Sequence, residues 1–271
     1  MPTDWVEIAD RCFCRRYAHL DVTSTVVAGG EGALVVDTRA SAAQGRELAE
    51  DVRRLTPLPI RAVVNTHVHF DHSFGNGAFA GVPIVAHESV PLAMPAHEER
   101  IKQLYADDPS DPERDDVLAT EVVAPDTVFS SAWTLDLGDR SVEVVHLGRG
   151  HTDGDAVVRV ADADVLLAGD LVEQSAPLNY GLDCWPLEWP ATLDLVIGLL
   201  TDQTVVVPGH GTAVDREFVQ QQRFDAAEIA GRIAELAAAG VGVDDAPGQG
   251  GWPYDSDRLE HAVRRGYVQL D

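Results

Sequence analysis

The sequence predicts an α/β protein in which helices pack against layered β-sheet. Short apolar segments that end in glycine or a polar residue alternate along the chain with longer segments of helical periodicity. No internal repeat or low-complexity linker divides the 271 residues into two bodies. We therefore expect a single domain over 1–271.

The first third of the chain predicts a hairpin, a helix and a buried strand. We expect the glycines at 29–32 to supply the positive φ angles of a tight hairpin turn. Ser41 and Gln44 have the spacing of a helical capping box, and Leu48 and Val52 share one helical face. The elements are strands at 25–27 and 33–36, a helix from Ser41 to Pro57, and a strand at 60–64.

The remaining elements follow the same alternation. An acidic, proline-containing segment at 107–116 is predicted to be a surface loop, either an active-site lid or a solvated connector. Gly240 is expected to end the last long helix. The other elements are a strand at 82–86, a helix at 90–105, strands at 142–147, 156–160 and 165–168, a helix from Pro190, a strand at 204–207, and a helix at 226–237.

Composition limits the classes of partner. The formal net charge of −25 repels nucleic acid and anionic membranes, so we expect a small-molecule substrate and leave the oligomeric state open. No apolar run is long enough to span a membrane, and no secretory signal is visible. Three cysteines cannot form a disulfide framework. These observations together favour the cytoplasm.

A dense cluster of metal-binding side chains follows the strand at 60–64. His67, His69, Asp71 and His72 place four potential ligands within six residues. Imidazole nitrogens and carboxylate oxygens suit zinc and other first-row divalent ions. The side chains of Asp71 and His72 diverge from those of His67 and His69, which suggests two ions rather than one.

Three further candidate ligands lie at the ends of later predicted strands. They are His151, Asp170 and His210, and each is preceded by glycine, which permits a sharp turn toward a common point. A single Gly-His pair is usually only a loop. The complete set of seven in this order is far more specific.

This order of motifs resembles the metallo-β-lactamase superfamily. His67-Val68-His69-Phe70-Asp71-His72 matches its His-x-His-x-Asp-His signature, and the likeness continues through Gly150-His151-Thr152, Gly169-Asp170 and Pro208-Gly209-His210. It covers about residues 20–215 and leaves 216–271 as a C-terminal helical segment. The resemblance implies an αββα four-layer sandwich with metals in a cleft at one edge, and is nearest to the glyoxalase II and lactonase-like branch.

The resemblance also implies a role for each ligand and a cofactor of two divalent metal ions. Zinc is the expected metal, with iron or manganese as alternatives. Asp170 would bridge the two ions. The first ion would be held by His67, His69 and His151, and the second by Asp71, His72 and His210.

These residues predict a dinuclear hydrolase of an ester, thioester, lactone or amide. Two ions can share a water that loses its proton near neutral pH and attacks a carbonyl, and Asp71 is the candidate catalytic residue that handles the proton. The alternatives are a mononuclear iron sulfur dioxygenase, β-lactamase activity, and a metal-binding protein without catalysis. Asp170 disfavours the β-lactamase, because such enzymes of the superfamily generally lack this aspartate.

Substrate contacts are less well defined by the sequence. Arg149 is either a clamp for a substrate carboxylate or a loop arginine, and Tyr180 and Trp185 either line the cleft or pack in the core. If the acidic segment flanks the cleft, neutral or cationic substrates would be favoured. His87 is expected to be a hydrogen-bonded core residue, and Cys184 to be structural.

Overall fold

The structure, a computed structural model that describes residues 4–270, consists of four layers. Two β-sheets pack face to face, and helices cover the outer face of each sheet. The predicted αββα sandwich is therefore confirmed. Its layers arise because each sheet has two apolar faces, and only one of them is covered by the other sheet.

The first sheet has seven strands in sequence order. Its first four strands pair antiparallel, whereas β4 to β7 are parallel and need crossover connections. The strands are β1 (Val6–Ala9), β2 (Cys12–Arg16), β3 (Thr23–Ala28), β4 (Ala33–Val36), β5 (Ile60–Val64), β6 (Ile84–His87) and β7 (Thr127–Phe129).

The second sheet has five strands in the order β12-β11-β10-β9-β8. All neighbours pair antiparallel except β11 and β12, which are parallel. The strands are β8 (Ala132–Asp136), β9 (Ser141–Val145), β10 (Val157–Val160), β11 (Val165–Glu173) and β12 (Val205–His210).

Seven helices lie outside the sheets or connect their strands. The 3₁₀ turn Phe74–Phe79 continues directly from α2. The helices are α1 (Ala42–Leu55), α2 (Phe70–Ser73), α3 (Val90–Asp107), α4 (Arg114–Ala119), α5 (Trp189–Leu199), α6 (Arg216–Ala238) and α7 (Glu260–Leu270).

Three apolar layers hold the sandwich together. Side chains such as Val64 and Val158 fill the space between the sheets. On the outer face of the first sheet, Leu48 and Val52 of α1 pack on the strands, as the helical periodicity predicts. On the outer face of the second sheet, α5, α6 and α7 share one core that includes Ile233. The C-terminal segment thus packs against the body that bears the motifs.

The hairpin between β3 and β4 forms as expected, but the reason for its glycines is different. Gly29, Gly30 and Gly32 do not have positive φ angles. A Cβ on Gly29 would lie 2.4 Å from the Cβ of Leu137, and one on Gly32 would lie 2.2 Å from the Cγ of Arg61. Close approach of neighbouring segments, rather than turn geometry, therefore requires glycine here.

Two further expectations about elements are settled by local contacts. Ser41 caps α1, because its side chain accepts a hydrogen bond from the backbone N–H of Gln44. The strand predicted at 165–168 is longer than expected and continues through Asp170 to Glu173. Gly169, at φ 52°, lies where the register of β11 against β12 shifts. Asp170 therefore occupies an irregular position within the strand rather than its end.

The described helices include none long and apolar enough to cross a membrane. All three cysteines are free thiols. Cys12 and Cys14 belong to the core between the sheets. Cys184 is fully buried in the core under α5 and α6, where burial raises the pKa of its thiol to about 12.

Candidate metal centre

The seven predicted ligands converge at one edge of the sandwich, although they come from distant parts of the chain. His67 to His72 follow β5, His151 follows β9, Asp170 lies in β11, and His210 ends β12. Within each of two groups, the ligand atoms lie within 4.8 Å of one another. The groups are His67, His69, His151 and Asp170, and Asp71, His72 and His210.

In the first group, two imidazole nitrogens face each other at hydrogen-bonding distance. His69 Nδ1 and His151 Nε2 are 2.8 Å apart. The other nitrogen of His69 contacts the Asp183 carboxylate at 3.0 Å, and His151 Nδ1 donates to the carbonyl of Asn179 at 2.9 Å. When neutral, each imidazole carries one N–H. The N–H of each ring therefore points away from the group, and the unprotonated nitrogen points toward the other ring.

The second group repeats this arrangement. His72 Nε2 and His210 Nε2 are 3.2 Å apart. His72 Nδ1 donates to the carboxylate of Asp37 at 2.8 Å, and His210 Nδ1 donates to the carbonyl of Leu20 at 2.8 Å. Two facing lone pairs repel unless a cation, either a proton or a metal ion, lies between them, so each group has the electronic character of a cation site. Against the effect of burial, the carboxylates of Asp170 and Asp71 raise the pKa of His72 and His210, so a proton takes this place when no metal is bound.

Asp170 reaches both groups. Its Oδ2 lies 3.4 Å from His151 Nε2 and 3.2 Å from His210 Nε2, and its Oδ1 lies 3.2 Å from His72 Nε2. A Cβ on Gly209 would lie 1.9 Å from Asp170 Oδ1, so only glycine permits the β12 backbone to pass this close. The motif glycine thus makes room for the shared carboxylate.

The donor set fits divalent metal ions. His67 Nε2 and Asp170 Oδ1 are buried and have no hydrogen-bond partner among the described residues. Unpaired buried polar atoms are costly, and in native proteins they commonly mark a missing ion or water. Imidazole nitrogens with carboxylates, each oriented by an outer hydrogen bond, are the ligands that zinc and related ions use.

Asp37 is a functional residue that the sequence analysis missed. One of its oxygens accepts from the Thr66 backbone N–H at 2.8 Å, and the other accepts from the Thr66 hydroxyl at 2.9 Å and from His72 Nδ1. The Thr66 hydroxyl in turn lies 3.0 Å from His67 Nδ1. Asp37 therefore orients one histidine of each group. Its position directly after the apolar strand β4 was the available signal.

Two further residues extend the site beyond the predicted ligands. Asp183 holds His69, and the ring of His97 stacks on that of His69 with centroids 5.0 Å apart. The three side chains form a third cluster of potential ligands. Asp183 lies between Tyr180 and Trp185 in the chain. The sequence analysis considered these two aromatic residues but not the carboxylate between them.

Electrostatics keep the buried carboxylates of Asp170 and Asp71 ionised, whereas burial raises the pKa of Glu173 to about 7. Burial alone would raise the pKa of Asp170, but the neighbouring His210 and His72 hold it well below its usual range. The same two histidines lower the pKa of Asp71 against the effect of burial. Away from this pair, burial lowers the pKa of His151 to about 4, so this ring stays neutral and able to bind a metal.

A cavity of about 440 Å³ opens onto the centre. Its charged lining includes Asp71, Glu173 and Asp183, but also Arg100 and Arg258. The segment 107–116 contributes no lining residue, because Asp107 ends α3 and Arg114 already begins α4. The premise for a preference for neutral or cationic substrates is therefore wrong: arginines, and not the acidic segment, flank the cavity.

The three weak substrate candidates do not line this cavity. Arg149 pairs with Glu188, with Nε 3.0 Å from its carboxylate, and its guanidinium lies 3.6 Å from the ring centroid of Trp185. Tyr180 is 2% exposed and packs in the core beside Trp189. All three side chains are thus used in packing, which is the second of the two roles that the sequence left open for them.

His87 takes the core role that was expected. Its Nδ1 lies 2.9 Å from the Ser89 hydroxyl, and its ring stacks on His146 with centroids 4.0 Å apart. It belongs to none of the clusters of potential ligands among the described residues.

Comparison with known proteins identifies the family. A family model described as the metallo-beta-lactamase superfamily matches residues 18–231. The chain belongs to this superfamily. This membership establishes the metallo-β-lactamase fold. The matched range agrees with the extent of the motifs read from the sequence.

Its curated relatives within the superfamily differ in what their names say they cleave. The acyl-coenzyme A thioesterase MBLAC2 of Homo sapiens is 30% identical over 62% of this chain and 60% of its own length. A metallo-beta-lactamase type 2 of Bacillus cereus is 25% identical over 69% and 65%. A linear primary-alkylsulfatase of Pseudomonas is 26% identical over 70% and 42%. The chain spans less than two thirds of the length of each.

Solved structures of metallo-β-lactamase-fold proteins share the architecture. A metallo-beta-lactamase from Pontibacter korlensis aligns with a TM-score of 0.64 at 24% identity, over 82% of this chain and 98% of its own. The sec-alkylsulfatase Pisa1 from Pseudomonas sp. aligns with a TM-score of 0.77 at 18% identity, over 98% of this chain and 50% of its own. At these identities the likeness establishes the fold alone.

Proposed function

We propose that this metallo-β-lactamase-fold protein is a dinuclear metal-dependent hydrolase of an ester or thioester, with lactones and amides as further members of the same substrate class. The observation that carries the proposal is the pair of inward-facing imidazole contacts, His69 with His151 and His72 with His210, on either side of Asp170. Each pair needs a cation, and one carboxylate reaches both.

We further propose how the ligands divide between the ions. His67, His69 and His151 would hold the first ion; Asp71, His72 and His210 would hold the second; and Asp170 would be shared. Zinc fits this nitrogen-rich donor set, and iron and manganese remain alternatives. Bound there, two divalent ions would supply an activated water and polarise the bond to be cleaved.

Asp71 is the proposed catalytic carboxylate. It lines the cavity, and its Oδ2 lies 3.3 Å from His210 Nε2 and 3.5 Å from His72 Nε2. Its lowered pKa keeps it ionised, so it can accept a proton from an attacking water and return it to the leaving group. The rings of His67 and His151 stay neutral because burial lowers the pKa of both. Each ring can therefore offer an unprotonated nitrogen to a metal ion.

The relatives do not fix the bond that is cleaved, since their names refer to a thioester, a β-lactam and a sulfate ester. The thioesterase is the most similar of these three in identity. A shared aspartate at position 170 also places more negative charge between the ions than a neutral ligand would, which weakens their attraction for the carboxylate of a β-lactam. Both arguments favour thioester or ester over β-lactam.

The test combines metal analysis with a substrate panel. Protein purified without added metal should contain about two equivalents of divalent metal, because seven ligands exceed the needs of one four-coordinate zinc. The specificity constant for a thioester or aryl ester should exceed that for a β-lactam. A β-lactam with the highest value would contradict the proposed substrate class.

The same experiment addresses the iron dioxygenase alternative. That function needs a single iron and consumes oxygen, whereas hydrolysis does not. One equivalent of iron together with oxygen uptake on a persulfide, and no ester hydrolysis, would replace the proposed function with the dioxygenase.

A further inference from the structure

His97 lies beside the centre with a donor on each side of its ring. The backbone N–H of Phe70 donates to His97 Nε2 at 3.0 Å. On the other side, a guanidinium nitrogen of Arg100 lies 3.0 Å from His97 Nδ1. The His97 side chain is 6% exposed, so it cannot satisfy either nitrogen by turning to bulk water.

Only one of these two contacts can be a hydrogen bond. Since Nε2 accepts from a backbone N–H, it carries no proton, and the single proton of a neutral imidazole is therefore on Nδ1. Arg100 is always a donor as well. The Nδ1–H of His97 and an N–H of Arg100 thus face each other, and both lack an acceptor.

Arg100 and Arg258 also lack carboxylate partners among residues 4–270, although both line the cavity. Their neighbours in the chain behave differently: Lys102 pairs with Glu98 at 2.7 Å, and Arg264 pairs with Glu260 at 3.2 Å. Other arginines, such as Arg46 and Arg61, also lack carboxylate partners among residues 4–270, but Arg100 and Arg258 are the two that line the cavity.

The charge of the loaded cavity has the same sign as these arginines. Four carboxylates line it, and two divalent ions would cancel their charge; the carboxylates are Asp71, Asp170, Glu173 and Asp183. The two guanidinium charges then remain. A cavity of positive net charge with low-dielectric walls attracts an anion.

We propose that His97, Arg100 and Arg258 form a subsite for an oxyanion group of the substrate, remote from the bond that is cleaved. This inference rests on the proposed hydrolysis. An oxygen of a carboxylate or phosphate accepts from His97 Nδ1–H and from Arg100, which supplies the missing acceptor. Arg258, from the C-terminal segment, contributes a second positive charge. Phe70 and Ile101 line the same cavity and offer an apolar surface to the substrate chain.

Two matched substrate pairs test the subsite and distinguish the source of the oxyanion. In the first, 4-nitrophenyl hemiglutarate adds a carboxylate to the acyl side of a neutral 4-nitrophenyl butyrate. In the second, butyryl phosphopantetheine adds a phosphate to the thiol side of neutral butyryl pantetheine. Arg100→Gln and Arg258→Gln should each lower kcat/KM about tenfold for the anionic member of one pair, and less than about twofold for its neutral member.

Arg53→Gln is the matched control. Arg53 is an exposed residue of α1 that does not line the cavity, and its replacement removes the same formal charge. It should leave all four kcat/KM values within about twofold, which separates a local contact from the overall field of the protein. Equal effects of Arg100→Gln and Arg53→Gln on both pairs would overturn the subsite.

Binding to the metal-loaded protein gives a readout that needs no turnover. Isothermal titration calorimetry with glutarate and with phosphopantetheine should give a Kd about tenfold higher in Arg100→Gln than in Arg53→Gln for one of the two ligands. If the wild type hydrolyses none of the four substrates, the proposed hydrolysis fails, and this comparison still decides the subsite. Identical Kd values in both variants for both ligands overturn it.

Discussion

The tautomer of each histidine is the residue-scale property on which the site depends. Outward hydrogen bonds to Asp37, Asp183, Leu20 and Asn179 fix which nitrogen of a ring carries the proton, so the other nitrogen is presented to the metal position. Residues outside the ligand set therefore control ligand orientation and basicity.

At this scale, we predict that Asp71→Asn lowers turnover by about 10²–10⁴-fold, because the amide retains a ligating oxygen but cannot accept a proton. Steady-state kinetics should be measured on protein whose metal content has been determined. A variant with full metal occupancy and unchanged turnover would remove Asp71 from the proton-handling role.

Asp37→Asn should weaken metal binding by about 10–100-fold. The carboxylate of Asp37 accepts hydrogen bonds from Thr66 and His72, whereas the NH₂ group of an asparagine would face these donors with a donor of its own. Competition with a chromophoric chelator measures the affinity. Asp115→Asn is the control, because the Asp115 side chain is 94% exposed and lies on α4. Equal affinities in the two variants would mean that the hydrogen bond to His72 does not support metal binding.

At the scale of elements, strand ends and close-passing backbones bring the ligands together. β5, β11 and β12 belong to two different sheets, yet the ends of β5 and β12 and the irregular part of β11 at Asp170 meet at one edge of the sandwich. The helix α1 is held against the 3₁₀ turn that follows α2 by two facing glycines, Gly45 and Gly75. This contact supports the segment that carries Asp71 and His72.

We predict that Gly45→Ala destabilises the protein by about 1–3 kcal/mol, because its Cβ would lie 2.4 Å from the Gly75 carbonyl oxygen. Gly231→Ala in α6 is the matched helical control. A Cβ there meets nothing within 4 Å, so we expect stabilisation of about 0.5–1 kcal/mol. Urea unfolding monitored by circular dichroism measures both. Stabilisation by Gly45→Ala would show that the two elements can separate without cost.

At the scale of the whole molecule, the centre joins the two sheets and the C-terminal segment packs on the second sheet. We therefore keep the expectation of one domain over 1–271 as a prediction. It requires a single unfolding transition, whereas separate transitions for the motif-bearing part and for 216–271 would contradict it.

Chelation should lower the midpoint of thermal unfolding by more than about 5 °C, because metal that binds only the folded state contributes its binding free energy to stability. Differential scanning calorimetry before and after chelation measures the change, and added zinc should reverse it. Coincident curves would argue against metal at this site.

The sequence alone determined most of the central helices and strands and the set of candidate ligands, but it did not predict β1, β2, β7 or β8. A helical period at Leu48 and Val52 and ligands clustered after an apolar strand are local patterns, so they can be read without knowing what packs against them. The same holds for the motif His67 to His72, whose resemblance to the superfamily extended the reading to distant positions such as His151 and His210.

The tertiary structure alone decided everything that depends on contacts between distant segments. Asp37 is 35 residues from His72, and Asp183 is 114 residues from His69, so no local period connects them. For the same reason, the sequence left Arg149 open between a substrate clamp and a loop arginine, whereas the structure places it against Glu188 and Trp185. Arg100, which the sequence did not single out, lines the cavity without a carboxylate partner among residues 4–270. Whether a charged side chain is free or paired depends on which segments folding brings beside it, and a linear sequence does not contain that information in readable form.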